Sequence, residues 1–158
     1  MTAYDLLEEL KQVITDGITN SIGFIKKSDD TTKKIPSVDL GYLPIKERKP
    51  GKPQEDPDDD FPYILIRYKE GEDDLEEGQV SVQILLGAYR DDETGWKDIL
   101  NMIEVIRKTL ITKSHFKNGA LQYPIKYKIP EDQAIPYFYG LVEVKFAVGT
   151  YSVEGEVS

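Results

Sequence analysis

The sequence predicts an α+β domain, a mixed and mainly antiparallel sheet of about four or five strands with two helices packed on one face. Three observations lead there. Apolar residues recur at helical spacing in two segments, 6–18 and 96–111, and alternate at strand spacing in four others, 63–69, 79–90, 121–129 and 137–151. The order α, β, β, α, β, β lets both helices cover one face of a single sheet. At 158 residues with 39% hydrophobic content, the chain has material for one core and not for two. The whole chain, 1–158, is therefore expected to be a single domain carrying a Pro-rich, charged insert or arm at 26–60.

The first helix shows its buried face in Leu6, Leu7, Leu10, Val13, Ile14 and Ile18. Thr2 is placed to cap it, and Asp5, Glu8 and Glu9 put negative charge near the positive end of the helix dipole. Gly17 marks its expected end. After a short apolar stretch at 22–25, the segment 26–60 loses periodicity and carries Pro36, Pro44, Pro50, Pro53 and Pro57. Ile35, Val38, Leu40, Tyr42 and Leu43 suit contact with the domain or a neighbour, so the first half is expected to dock. The stretch 46–60 is too polar for a core and is expected to be mobile in the isolated subunit.

Two strands follow. Ile64, Ile66 and Tyr68 share one face of the first, and Tyr63, Leu65 and Arg67 the other. The acidic run 70–77, interrupted by Gly71 and Leu75 and closed by Gly78, is expected to be the turn into the next strand. There Val80, Val82, Ile84, Leu86 and Ala88 point inward. Antiparallel pairing of these neighbours is the cheapest topology. Asp91 to Gly95 turn the chain into the second helix, whose face is Trp96, Ile99, Leu100, Ile103, Ile106 and Leu110, widened by Met102, Val105 and Ile111. In the next strand Leu121, Tyr123, Ile125, Tyr127 and Ile129 alternate with polar residues. Pro124 removes a backbone donor there and argues for a sheet edge. The last strand aims Val142, Val144, Phe146 and Val148 one way, and Glu143, Lys145 and Ala147 the other.

Composition narrows the function classes. With 20 basic and 29 acidic residues the formal charge is -9, which disfavours a simple nucleic-acid binder and docking on an anionic membrane. Cysteine is absent and His115 is the one histidine, so thiolate chemistry and two-histidine zinc sites are excluded. No stretch reaches the roughly 20 apolar residues of a membrane helix, and residues 1–10 lack the pattern of a signal peptide. A soluble protein made in a cytoplasm is expected.

The constellations suited to chemistry are few. The acidic clusters 56–60, 70–77 and 91–93 do not keep the phase of a calcium loop: counted from Asp56, Phe61 stands where glycine is required. Such runs usually form solvated turns. A magnesium nuclease is a remote alternative, with Asp58 and Glu143 on the metal and Lys145 beside the phosphate, but the two halves lie far apart in sequence. There is no nucleophile elbow and no glycine-rich phosphate loop, and His115 follows a helix end. Hence no catalytic residue, no metal ligand and no cofactor is expected.

The block from Gln79 to Leu110 joins three recognisable runs. The first is Val80-Ser81-Val82-Gln83-Ile84-Leu85-Leu86-Gly87-Ala88-Tyr89, the second Asp91-Asp92-Glu93-Thr94-Gly95-Trp96, and the third Asp98 to Ile103 with Ile106-Arg107. It resembles the tail terminator family of long-tailed phages and prophages, in which a strand ending in a glycine and an aromatic passes through an acidic turn into a helix bracing a sheet. The resemblance covers about a third of the chain and leaves 26–60 unmatched. It implies a virion structural subunit that forms a ring, a hexamer in that family, on the end of the tail tube. The ring stops tube polymerisation and joins the tail to the head connector. The implied partners are other copies of the chain, the major tail tube protein and the neck proteins, with DNA only passing through the channel and no membrane. The implied location is the virion, after synthesis in the bacterial cytoplasm. An acidic lumen repels phosphates and fits that role. A head–tail connector or tail-completion protein of the neck is the alternative within the same class. For the ring contact, Lys46, Arg48 and Lys49 are the expected basic side, and Glu70, Glu72, Asp73 and Asp74 of the neighbouring copy the acidic side.

Overall fold

Amphipathic segments bury one face each, and here they do so in two layers. The structure, a computed structural model, describes residues 2–20, 24–26, 29–43 and 60–149. In chain order the elements are α1 (Ala3–Thr19), β1 (Phe24–Lys26), β2 (Asp29–Lys34), β3 (Ser37–Leu40), β4 (Tyr63–Asp73), β5 (Gly78–Tyr89), α2 (Gly95–Lys113), β6 (His115–Phe116), β7 (Gly119–Lys128) and β8 (Tyr137–Val148). One six-stranded sheet has the order β3-β4-β5-β8-β7-β6, and β1 and β2 form a separate antiparallel ladder. Only β3–β4 is parallel, so the large sheet is mixed and mainly antiparallel, as expected, with six strands rather than four or five.

The extra strands have a physical origin. β3 lies in the stretch read as aperiodic because it is four residues long, with Val38 and Leu40 packed against the core and Ser37 exposed. Four residues are too few for alternation to stand out. Gly41 ends it in the left-handed region (φ 81°), its N–H donating to the Ile66 carbonyl at 2.8 Å and its carbonyl accepting from Arg67 Nε at 2.6 Å. Residues 27–28 and 44–59 of the arm lie outside the described residues, and 29–34 form β2. β6 is two residues long and closes a tight hairpin onto β7.

Both helices cover the same face. Leu6, Leu10, Ile14 and Ile18 of α1 join Ile99, Met102, Ile103, Ile106 and Leu110 of α2 over Ile64, Ile66, Val82, Ile84, Leu86, Val142, Val144 and Phe146. Each such side chain contributes about 1.5–3 kcal/mol on burial. Thr2 caps α1 in a capping box, accepting from Asp5 N–H at 3.2 Å while its own N–H donates to Asp5 at 2.8 Å. That backbone bond and then the hydroxyl hold the Asp5 carboxyl below its ordinary value.

Two helix expectations need correction. α1 does not end at Gly17 but runs to Thr19, because Gly17 is where Thr109 of α2 packs against the α1 backbone. Trp96, Leu100 and Ile111 are not core: they are 45%, 38% and 43% exposed. The buried stripe of α2 runs through Gly95, Ile99, Met102, Ile103, Ile106 and Leu110, which leaves those three side chains on its margin.

Candidate functional site

With both helices on one side, the register decides what the opposite sheet face presents. Tyr63, Leu65 and Arg67 of β4 stand opposite Gly87, Leu85 and Gln83 of β5, which in turn stand opposite Tyr139, Leu141 and Glu143 of β8. No helix covers this face among the described residues. Near the Tyr63 end it is apolar: Phe61, Tyr63 and Leu65 are buried there with Leu43, Leu85, Tyr89 and Tyr137 around them. The Phe61 ring centre lies 5.0 Å from that of Tyr63 and 5.3 Å from that of Tyr137, and both pairs are tilted. Burial, with a smaller contribution from Tyr139, pushes the Tyr63 hydroxyl up to about 12.

Towards the other end the face turns polar. Lys126 opposes Glu143, Lys128 opposes Leu141, and Lys145 lies between Ser81 and Gln122. Lys69 Nζ reaches Glu143 at 3.6 Å. A groove of about 230 Å³ is lined by Lys126, Tyr127, Lys128, Leu141 and Glu143. A second, of about 240 Å³, adjoins it around Lys69, Ser81, Pro124, Lys126, Glu143 and Lys145. Both are smaller than the roughly 300–1,000 Å³ of small-molecule pockets. Pro124 lies at an irregularity of β7, where the register with β8 shifts between Gln122 and Lys126.

The acidic side of the expected contact is on one hairpin. β4 continues to Asp73, so Glu70 and Glu72 are strand residues, opposite Ser81 and Gln79, and only 74–77 make the turn. This corrects the expectation of a turn throughout 70–77. Charged residues hide this strand because its outer edge beyond Ile66 has no partner among the described residues, and charges keep such an edge soluble. Asp74 takes a structural role: its carboxylate accepts from the N–H of Glu76 and of Glu77, each at 2.8 Å. Those two bonds, Glu77 first, hold its pKa down. Lys46, Arg48 and Lys49, the expected basic side, lie outside the described residues.

The chemistry-bearing alternatives can be located as well. Glu143 and Lys145 share the helix-free face of β8, while Asp58 lies outside the described residues. Among the described residues no group of three or more His, Asp or Glu side chains is placed to hold a metal ion. In the 91–93 cluster, Asp92 accepts from the Thr94 hydroxyl and backbone, which lowers its pKa and shapes the turn before α2. His115 is exposed on β6. No helix of the described residues is long and apolar enough to cross a membrane.

Two polar clamps hold the frame. Arg90, just after β5, donates from Nε and Nη2 to the two carboxylate oxygens of Asp98, both at 3.1 Å, tying the strand end to the first turn of α2. Glu9 of α1 accepts from the backbone N–H of Lys117 and Asn118 at 2.7 and 2.9 Å, fixing the β6–β7 turn to the helix. Neither clamp stands out in the amino-acid sequence, although Arg90 and Asp98 flank the acidic turn and sit eight residues apart.

No protein-family model matches the chain, and a search of curated proteins finds no match.

Proposed function

We propose that the chain is a non-catalytic structural subunit of a tailed phage or prophage virion. In this reading it is a tail terminator that assembles as a ring on the tail tube, stops tube growth and joins the tail to the neck. The observation that carries this reading is the unit from β5 through the acidic turn into α2. In it, a central strand ends in Gly87 and Tyr89, and Arg90–Asp98 locks the following helix across the sheet. That unit is the part of the chain that resembles the terminator family. The helix-free face and the charged hairpin add surfaces suited to neighbours. The partners in this reading are copies of the chain, the tube protein and the head connector, with DNA passing through the channel.

The test uses the tail tube protein of the same phage or prophage. Added to growing tubes, the full chain is expected to halt elongation and to appear by electron microscopy as a ring at one tube end. Tubes that elongate unchanged, with no ring at either end, overturn the reading; binding to the connector without effect on tubes favours the neck-protein alternative. Incubation with plasmid DNA and magnesium is expected to leave the DNA intact, and cleavage that depends on Glu143 and Lys145 would replace this reading with the nuclease.

A further inference from the structure

The turn 74–77 sets an apolar side chain among acids: Leu75 is 93% exposed, flanked by Asp73, Asp74, Glu76 and Glu77. It is held there rather than left loose. Asp74 bonds the N–H groups of Glu76 and Glu77, and its own N–H donates to the Glu77 carbonyl at 3.0 Å, so contact requires little further ordering. Seven residues along β8 from the hairpin, the groove beside Leu141 is rimmed by Lys126 and Lys128, with Lys145 on the same face and Glu143 already met by Lys69. Its chemistry is the inverse of the hairpin tip.

The two surfaces cannot meet within one chain. β8 pairs with the hairpin base at Val148 and with the groove at Leu141, seven residues apart, which is roughly 23 Å at about 3.3 Å per residue. The hairpin also belongs to β4 and β5, whereas the groove lies on the β7 side of β8. We infer that the occupant of the Leu141 groove is the 74–77 tip of a second copy, with Leu75 against Leu141 and its flanking carboxylates on Lys126 and Lys128. Tip and groove are different patches, so the contact is head-to-tail and repeats from copy to copy, closing as a ring or growing as a filament. The inference rests on the ring reading above and names its contact, with Lys126 and Lys128 as the basic side. The net charge of -9 opposes association at a distance, so the contact forms at high local concentration, as on a template.

Sedimentation of the full chain tests it with two variants that alter exposed residues, Leu75→Ser at the tip and Lys126→Glu with Lys128→Glu at the groove. The unaltered chain is expected to gain mass with concentration up to about 1 mM, the range of a weak contact. Each variant alone is expected to associate about tenfold more weakly or worse. Mixed, they are expected to form dimers and nothing larger, because each supplies the half the other lacks. A chain that stays monomeric at about 1 mM, variants that associate like the original, or a mixture without dimers overturns the contact. Rings on tubes formed equally by both variants would sink this contact and leave the terminator reading standing. Tip-and-groove association without any effect on tubes would do the reverse.

Discussion

The ring of Tyr63 lies across Gly87 on the neighbouring strand, in the space that a Cβ at position 87 would need. The aromatic end of the helix-free face depends on that vacancy, since Phe61 and Tyr137 pack around the same ring cluster. Gly87→Ala is expected to cost about 1–3 kcal/mol, the range for overpacking a filled site. Urea midpoints measure it. A loss under about 0.5 kcal/mol, typical of a surface site, would mean that the ring is free to move aside.

The same burial predicts an alkaline limb. Tyr63 titrates at about 12 instead of 10.0, so the folded state favours its neutral form. Its contribution is full below pH 10 and is lost as pH rises through about 12. Tyr63→Phe removes the titrating hydroxyl, so its stability is expected to fall less than that of the original chain between these limits. Parallel denaturation curves for the two proteins across pH 10 to 12 would contradict the buried environment.

On α2, neighbouring large side chains are expected to differ sharply. Ile103 is 1% exposed within the core, and Ile103→Ala should cost roughly 2–5 kcal/mol. Trp96 is 45% exposed, and Trp96→Ala should cost well under half of that, about 1 kcal/mol. Equal losses in denaturant would show that the helix packs through a different stripe.

The Arg90–Asp98 clamp supplies a fourth test. Asp98 is 7% exposed, and removing its carboxylate leaves the guanidinium of a largely buried pair without that partner. Asp98→Ala is expected to destabilise by about 1–3 kcal/mol, more than Glu104→Ala, which breaks an exposed pair at 2.9 Å worth about 0–1 kcal/mol. Hydrogen exchange should locate the loss in the first turn of α2. A uniform loss across the sheet would argue against a local clamp.

Elements that fold by their own periodicity were legible in the sequence. The stripe Leu6, Leu10, Ile14, Ile18 and the alternation Val80 to Ala88 are local patterns, and the structure buries those residues. Thr2 with Asp5 was legible for the same reason, since a cap is made by residues three apart. The acidic half of the candidate contact, Glu70 to Asp74, could be picked out by charge alone, although not that Glu70 and Glu72 are in a strand.

What required the tertiary structure is whatever depends on residues far apart. β8 lies beside β5 although α2, β6 and β7 separate them in the chain, and only that pairing puts Lys126, Lys128 and Leu141 around one groove. β3 is a strand because Val38 and Leu40 find the core beside β4, a gain that four residues cannot announce in advance. Trp96 and Leu100 look as apolar as Ile99, and their exposure follows from where α2 rests on the sheet. Composition and spacing therefore determined which faces had to be buried, because water excludes apolar stripes wherever they occur. Which strand lies beside which, and so which charges share a surface, was decided by packing among segments whose separation in sequence carries no local signal.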